Sequence, residues 1–430
     1  MLATLMYSFE IDPDYQQLLE WATTLVRDEV APLDHVFPDP YERHDEAAMA
    51  AARPLMERVR ERGLWACHLP PSLGGGGYGQ VKLALLNEVL GGSRWAPTIF
   101  GCQAPDSGNA EILAHFGTPE QQRRYLQPLL DGEIVSCFAM TEPQGGSDPR
   151  LFTTTARRDG DGWVLDGEKW FASNATTADF FVVLAVTDAD VPVHRGASML
   201  IVPAATPGVE IVRDVHVFGE PAAAPGHAHL RFSDARLPAE CLLGETGQAF
   251  AIAQTRLGGG RVHHAMRTVG AARQAFDAMC ERAVSRPTRT GVLADYGQTQ
   301  HAIAQSWIEI EQFRLLVLRT AWLIDKYDDY ARVRKDIAAI KAAAPDVLRR
   351  VVRRAMHLHG SLGVSAEMPF GRLLLESEWL ALVDGPTEVH ETTIAKQVLA
   401  DYEPAPDVFP SGHLPRLAEA AAAKLRQPTG

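Results

Sequence analysis

The chain has 430 residues, 46% of them hydrophobic and 22% charged, with a formal net charge of −13. That length exceeds one ordinary hydrophobic core and predicts two or three packed regions able to bury a cofactor deeply. The acidic balance removes electrostatic support for a nucleic-acid partner, and no apolar run approaches the eighteen residues that membrane insertion requires.

From Pro13 to about Gly132 apolar residues recur at helical spacing (Leu18, Leu19, Ala22, Leu25, Val26, then Leu55, Val59, Leu64), predicting amphipathic helices cut by Pro and Gly over residues 1–133. Between Ile134 and Leu243 the pattern changes to short runs rich in β-branched and aromatic residues (Trp163 to Leu165, Phe180 to Val186, Ser198 to Val202, His229 to Phe232), predicting a small antiparallel β domain over 134–243. Helical periodicity returns from about Gln248 to Leu399, with one long helix expected over His301–Lys326, so 244–402 reads as a second helical domain. Residues 403–430 are rich in Pro and Ala, with one short helix expected near Leu417–Leu425, and read as a peripheral tail. Five cysteines, Cys67, Cys102, Cys137, Cys241 and Cys280, show no CxxC spacing. With no secretory leader pattern at the amino terminus, they predict reduced thiols in a cytoplasmic protein.

Three motif candidates fail on context. Gly74 to Gly79 satisfies GxGxxG, yet Pro70-Pro71-Ser72-Leu73 stands where a dinucleotide fold needs a strand, so an inter-helix loop is expected. The pairs His263-His264 and His357/His359 match no zinc spacing, so no metal is expected. No GxSxG elbow accompanies the Ser, His and Asp residues that a hydrolase would use.

Two segments carry chemistry. Phe138-Ala139-Met140-Thr141-Glu142-Pro143-Gln144-Gly145-Gly146-Ser147-Asp148 ends an apolar run in a hydroxyl and a Gly/Ser turn whose backbone N–H groups suit a phosphate-bearing planar ring. Lys169-Trp170-Phe171-Ala172-Ser173-Asn174 adds an aromatic pair and a second hydroxyl. Read alone, the first could be a plain strand and turn, and Asp384 of Val383-Asp384-Gly385-Pro386-Thr387-Glu388 a common turn starter.

Together these segments, in a helix–strand–helix order spanning Pro13 to Leu399, resemble the acyl-CoA dehydrogenase family. The resemblance implies a mostly α fold with a central β domain and a C-terminal four-helix bundle. It also implies FAD as cofactor, an acyl-CoA substrate, an electron-transfer flavoprotein as acceptor and a homodimer or homotetramer. Residues matching the family's flavin site are Phe138, Met140, Thr141, Gly146, Ser147, Phe171 and Ser173, with Pro386 and Glu388 after the catalytic turn. The spacing from Glu367-Met368-Pro369 makes Asp384 match the general base, in a DGP context found in a branch of the family. The alternative base position, directly before Arg261, is Gly260. Arg261 matches an arginine that organises the site, and Ser147, Arg261, Asp384 and Gly385 would contact substrate.

Such a base is expected to have a raised pKa, because burial beside an acyl chain disfavours the carboxylate. Arg286 and the loop His357, Gly360, Ser361 match the part that holds the adenosine diphosphate of FAD across a dimer interface. Arg289-Thr290, His357 and Ser361 depart from the family's usual residues there. Those departures motivate a non-catalytic, FAD-poor partner subunit as an alternative reading. A second alternative is a related flavin oxidase that uses nitroalkanes or oxygen.

Overall fold

The computed structural model describes residues 10–37, 39–40, 45–73, 75–217, 226–405 and 407–426. Helix α1 (Pro13–Leu25) starts after Asp12, whose carboxylate accepts the Tyr15 N–H at 2.9 Å, with Pro13 at the first helical position. Asp45 caps α2 (Glu46–Glu61) in the same way. These helices bury Ala22, Leu25, Ala52, Leu55 and Val59 against Leu86 and Leu90 of α3 (Gln80–Leu90) and against Trp95. Gly74 lies outside the described residues. Gly75–Gly79 join a 3₁₀ turn at Pro71–Leu73 to α3, without a preceding strand among the described residues. Helix α4 (Asp106–Phe116) packs onto the sheet.

The sheet contains β1 (Ser136–Ala139), β2 (Thr155–Asp159), β3 (Gly162–Ser173), β4 (Phe180–Val186), β5 (Ala197–Pro203), β6 (Val209–Val215), β7 (His227–Leu237) and β8 (Leu242–Leu243). Its order is β6-β7-β3-β1-β4-β5-β8, with β2 pairing β3 and β4. The expected antiparallel domain is therefore corrected to a mixed one: β1 runs parallel to β4, and β2 also meets β4 in parallel. The β2–β3 hairpin intervenes in sequence between β1 and β4, so the chain re-enters beside β1 in the same direction. Alternation then divides β4 between two cores. Phe181, Val183 and Ala185 face the sheet's own cluster. Phe180, Val182 and Leu184 face Ile112 and Leu113 of α4 and Ile252 and Ala253 of the next helix.

That helix, α5 (Ala249–Ser285), has 37 residues and is followed by α6 (Gly297–Tyr327), α7 (Arg334–His359), α8 (Phe370–Leu380) and α9 (Thr387–Leu399). The long helix expected over 301–326 is α6. The expected four-helix bundle is a shared core: three long helices pack with Phe370, Leu373 and Leu380 of α8 and with Val81 and Ala84 of α3. This joins the amino-terminal helices to the carboxy-terminal ones around one apolar interior. Helix α10 (Leu414–Leu425) buries no residue. No described helix is long and apolar enough to cross a membrane, and all five cysteines are free.

Candidate active site

The Phe138–Asp148 segment is held from beneath by a buried ion pair. Lys169, fully buried on β3, donates from Nζ to the Glu142 carboxylate at 2.8 Å and to the Met140 carbonyl at 2.9 Å. Glu142 also accepts the N–H groups of Thr153 at 2.6 Å and Thr154 at 3.1 Å, while Trp170 N–H donates to Thr141 O at 2.9 Å. Burial would raise the Glu142 pKa, but Lys169 and these donors hold it below the ordinary carboxylate range. Burial lowers Lys169 to about 8 against the pull of Glu142, so both remain charged at neutral pH. The strand end carrying Met140 and Thr141 is thereby fixed. Beyond it, Gly146 and Ser147 are exposed, and a side chain built at Gly146 would meet open space.

Phe138 on β1 lies directly opposite Ser173 on β3. Phe171 adopts φ +56°, rare for a bulky residue, and leaves its ring 41% exposed. That ring lies 4.9 Å from His227 on β7, whose Nδ1 is 2.9 Å from Ser173 Oγ. An aromatic wall and two hydroxyls therefore gather at one end of the sheet.

Asp384 occupies the turn after α8 in a left-handed conformation, φ +55°. Its carbonyl accepts a hydrogen bond from Arg261 Nη2 at 3.1 Å and lies 3.2 Å from His390 Nε2. Gly385 follows at φ +103°, where a β-carbon would come within 3.1 Å of the His390 ring. Arg261 thus contacts the candidate base through its backbone. Burial lowers His390 and His264 to about 4, leaving both neutral.

The expectation of a raised base pKa is overturned. Burial alone would raise the Asp384 carboxyl, but His264, Arg256, Arg261 and Lys341 together hold it below the ordinary carboxylate range. These four come from α5 and α7, two helices distant in sequence from the turn. Arg256 also donates from Nε to Asn109 Oδ1 at 3.1 Å and places its guanidinium 4.0 Å from the Phe138 ring centroid. It therefore bridges the Asp384 region and the sheet end. Sequence reasoning missed Arg256, Lys341, His390 and His227. His264 was weighed only as a metal ligand, because each looks ordinary until the fold collects them.

Arg286, His357, Gly360 and Ser361 form a separate group. Arg286 is exposed at the end of α5, and the other three are exposed at the end of α7. From Arg261 to Ser285 is 24 residues of unbroken helix, about 36 Å, so the structure does not bring this group to Asp384 within one chain. Pro386 is half-buried at the start of α9. Glu388 lines a surface cleft of about 430 Å³ with Arg334, Thr392, Thr393 and Lys396.

The chain matches three family models in succession: the acyl-CoA dehydrogenase N-terminal domain over residues 12–133, the middle domain over 137–235 and the C-terminal domain over 247–399. It is 42% identical to FadE2 of Mycobacterium tuberculosis, a probable acyl-CoA dehydrogenase, covering 85% of this chain and 92% of that one. The chain belongs to the acyl-CoA dehydrogenase family. It is also 38% identical to mouse acyl-CoA dehydrogenase family member 11, matching 90% of this chain but only half of that longer protein. The solved butyryl-CoA dehydrogenase of Megasphaera elsdenii superposes with a TM-score of 0.78 at 26% identity, covering 91% of this chain and all of that one.

Membership makes the chain an FAD-binding oxidoreductase, and the sheet end fits a flavin on three observations. The Phe171 ring is exposed in a strained conformation, Gly146 leaves open space above a pinned turn, and Gly260 leaves open space on α5 next to Arg261, which bonds Asp384.

Proposed function

We propose that the protein oxidises an acyl-CoA thioester to its trans-2-enoyl form, with Asp384 removing the α-proton and electrons leaving through an electron-transfer flavoprotein. Bound FAD would supply the acceptor for the β-hydride. The observation carrying this reading is a carboxylate on a turn held by Arg261 and His390 and linked through Arg256 to Phe138, which lies opposite Ser173 at the end of the sheet. An ionised Asp384 is ready to accept a proton at neutral pH, at some loss of basicity. Arg256 and Arg261 compensate, because cations beside the thioester stabilise the enolate charge that develops as the proton leaves. On this reading the backbone N–H groups around Gly385, together with Ser147, would orient the substrate.

The same reading assigns Thr141, Ser173 and Gly146 to the flavin ring and its pyrophosphate, and Arg286, His357, Gly360 and Ser361 to the adenosine end. The 24 helical residues between the groups support a homodimer or homotetramer in which one chain's adenosine group serves its partner's ring site. Arg334 and Lys396 in the cleft beside Glu388 supply cations for a phosphate-bearing ligand.

The test is anaerobic bleaching of the 450 nm flavin band by a panel of acyl-CoAs. Wild type should bleach and Asp384→Asn should not; unimpaired bleaching by the variant would show that the base lies elsewhere. Oxygen uptake without an added acceptor would instead point to an oxidase.

A further inference from the structure

We propose that Cys67 and Cys102 are a modification site of their own, in which a hydroperoxide oxidises Cys102 with His68 as its base and Cys67 then closes a disulfide upon it. The proposal stands independently of Asp384 and of the acyl-CoA reading.

The two cysteines are 35 positions apart in the chain, yet their sulfurs lie 3.7 Å from each other. Cys67 sits in the turn that follows α2, and Cys102 in the turn that follows the short helix Ala96–Ile99. These turns are joined beside the cysteines by the Ala66 N–H, which donates to the Phe100 carbonyl at 3.0 Å. A disulfide brings its sulfurs to about 2.05 Å, so the pair has about 1.7 Å to travel.

A histidine distinguishes this pair from two thiols that merely pack. His68 Nε2 is 3.0 Å from the Ser107 carbonyl, which can only accept, so Nε2 carries the proton and Nδ1 keeps a lone pair. Nδ1 is buried and has no hydrogen-bond partner among the described residues. Burial opposes a charge on His68, but Cys102 beside it and Glu111 on α4 raise its pKa. The bond from Cys67 holds Cys102 well below the ordinary thiol range against burial, and His68 and Arg267 add to that pull. Cys67, donating to Cys102 and buried, is pushed well above it. The sulfurs are therefore unequal: Cys102 is the nucleophile and Cys67 the resolving thiol.

The remaining neighbours leave those roles in place. Arg267 on α5 donates from Nη2 to the Cys102 carbonyl at 2.8 Å and fixes that turn, while the Cys102 thiol has the Phe100 carbonyl at 3.3 Å as a second acceptor. Tyr15 and Tyr78 also face the pair, but their hydroxyls are committed to the Lys82 carbonyl at 2.7 Å and the Gly63 carbonyl at 3.1 Å. Cys67 is 1% exposed and Cys102 4%, which excludes a bulky disulfide as oxidant and selects a hydroperoxide, whose reacting part is two oxygens.

The Cys102 proton passes to His68 Nδ1, and the sulfur attacks one peroxide oxygen. The O–O bond breaks, the leaving oxygen takes the proton from His68 as water or alcohol, and Cys102 becomes a sulfenic acid. Cys67 sulfur then attacks Cys102 sulfur, and the displaced hydroxide leaves as water with the Cys67 proton. Each sulfur gives one electron and the peroxide takes two.

The experiment treats full-length FAD-loaded protein with hydrogen peroxide and counts thiols after unfolding. Two of the five should be lost and then restored by dithiothreitol, and peptide mapping should place the bond between Cys67 and Cys102. Cys67→Ser should stop at a sulfenic acid on Cys102 that dimedone traps, whereas Cys102→Ser should leave Cys67 reduced. His68→Asn, checked for folding by circular dichroism, should slow the loss at least tenfold. The wild-type pH profile tests the same role without a variant. An ordinary thiol loses about tenfold in rate for each pH unit below about 8.5, whereas a thiol activated by His68 should hold its rate within about threefold between pH 6 and 8. Oxidation confined to the half-buried Cys280, an ordinary thiol profile, or glutathione disulfide acting as fast as peroxide would each overturn the proposal.

Discussion

Two deep polar groups flank the same end of the sheet, and they are built on opposite principles. Around Glu142 and Lys169 the charges are matched: Lys169 donates to a carboxylate and a carbonyl, and Glu142 accepts from Lys169, Thr153 and Thr154. Around Asp384, Arg256 and Glu111 they are not. Three cations, Arg256, Arg261 and Lys341, and the neutral His264 surround Asp384, and buried polar atoms such as Arg261 Nε and His263 Nε2 have no hydrogen-bond partner among the described residues. Since nearly all buried polar groups in native proteins are bonded, an unmatched set needs an explanation that a matched one does not. The first group holds backbone in place, whereas the second leaves polar atoms unpaired among the described residues, as the proposed substrate site requires.

Removing the Asp384 charge should produce the largest effect. Asp384→Asn is expected to slow flavin reduction by acyl-CoA about 10²- to 10⁴-fold, the usual contribution of a positioned base, while the protein stays folded and keeps its flavin absorbance. Stopped-flow bleaching at 450 nm measures the first, and circular dichroism with the visible spectrum the second. Equal losses of activity and flavin would mean that the two groups do not differ in kind.

Breaking the matched pair should instead act on stability. Lys169→Met leaves Glu142 buried and uncompensated, a change worth about 3–5 kcal/mol, read as a lower urea midpoint. Adding Glu142→Gln, whose amide oxygen still accepts from Thr153 and Thr154, should recover much of that loss. Because the folded pKa of Glu142 is depressed, its contribution is present above the ordinary carboxylate range and is lost as pH falls through the folded value. A single variant as stable as wild type would contradict the scaffold role.

What could be read beforehand follows from locality. The helix–strand–helix order, the Phe138–Asp148 turn and the Asp384-Gly385-Pro386 turn are written in neighbouring residues, whose periodicity and turn chemistry need no tertiary information. The direction of β1 relative to β4 was not readable, because Ser136 and Phe180 become partners only after the intervening hairpin folds back. Nor was the sign of the Asp384 shift. Burial alone argued for a rise, whereas the fold brings Arg256, Arg261 and His264 from one helix and Lys341 from another.

A third prediction extends the contrast to the distant adenosine group. Arg286→Ala removes an exposed charge that makes no salt bridge among the described residues, so the stability of the single chain should hardly change. If that arginine binds a phosphate oxygen of FAD, the flavin dissociation constant should rise about 10- to 100-fold, the worth of one hydrogen bond to a charged group. Titration of apoprotein with FAD measures it. An unchanged constant would remove Arg286 from the site.

The smallest effect concerns Glu111. Its folded pKa is raised to about 7 by burial, above the ordinary glutamate value, so between about 4.5 and 7 the folded protein holds a proton that the unfolded chain has released. Unfolding then releases that proton, and the stability contributed by this residue falls as pH rises through the window. Glu111→Gln keeps the shape but cannot titrate. It should flatten the slope between pH 5 and 7 and leave the variant slightly more stable than wild type above pH 7. Urea midpoints at half-unit pH intervals measure both effects. A carboxylate that were part of a matched network, like Glu142, would give the opposite sign, with stability lost on acidification and the glutamine variant less stable at neutral pH. The sign of this one slope therefore tells whether Glu111 belongs with the groups that hold the fold or with those left open for a ligand.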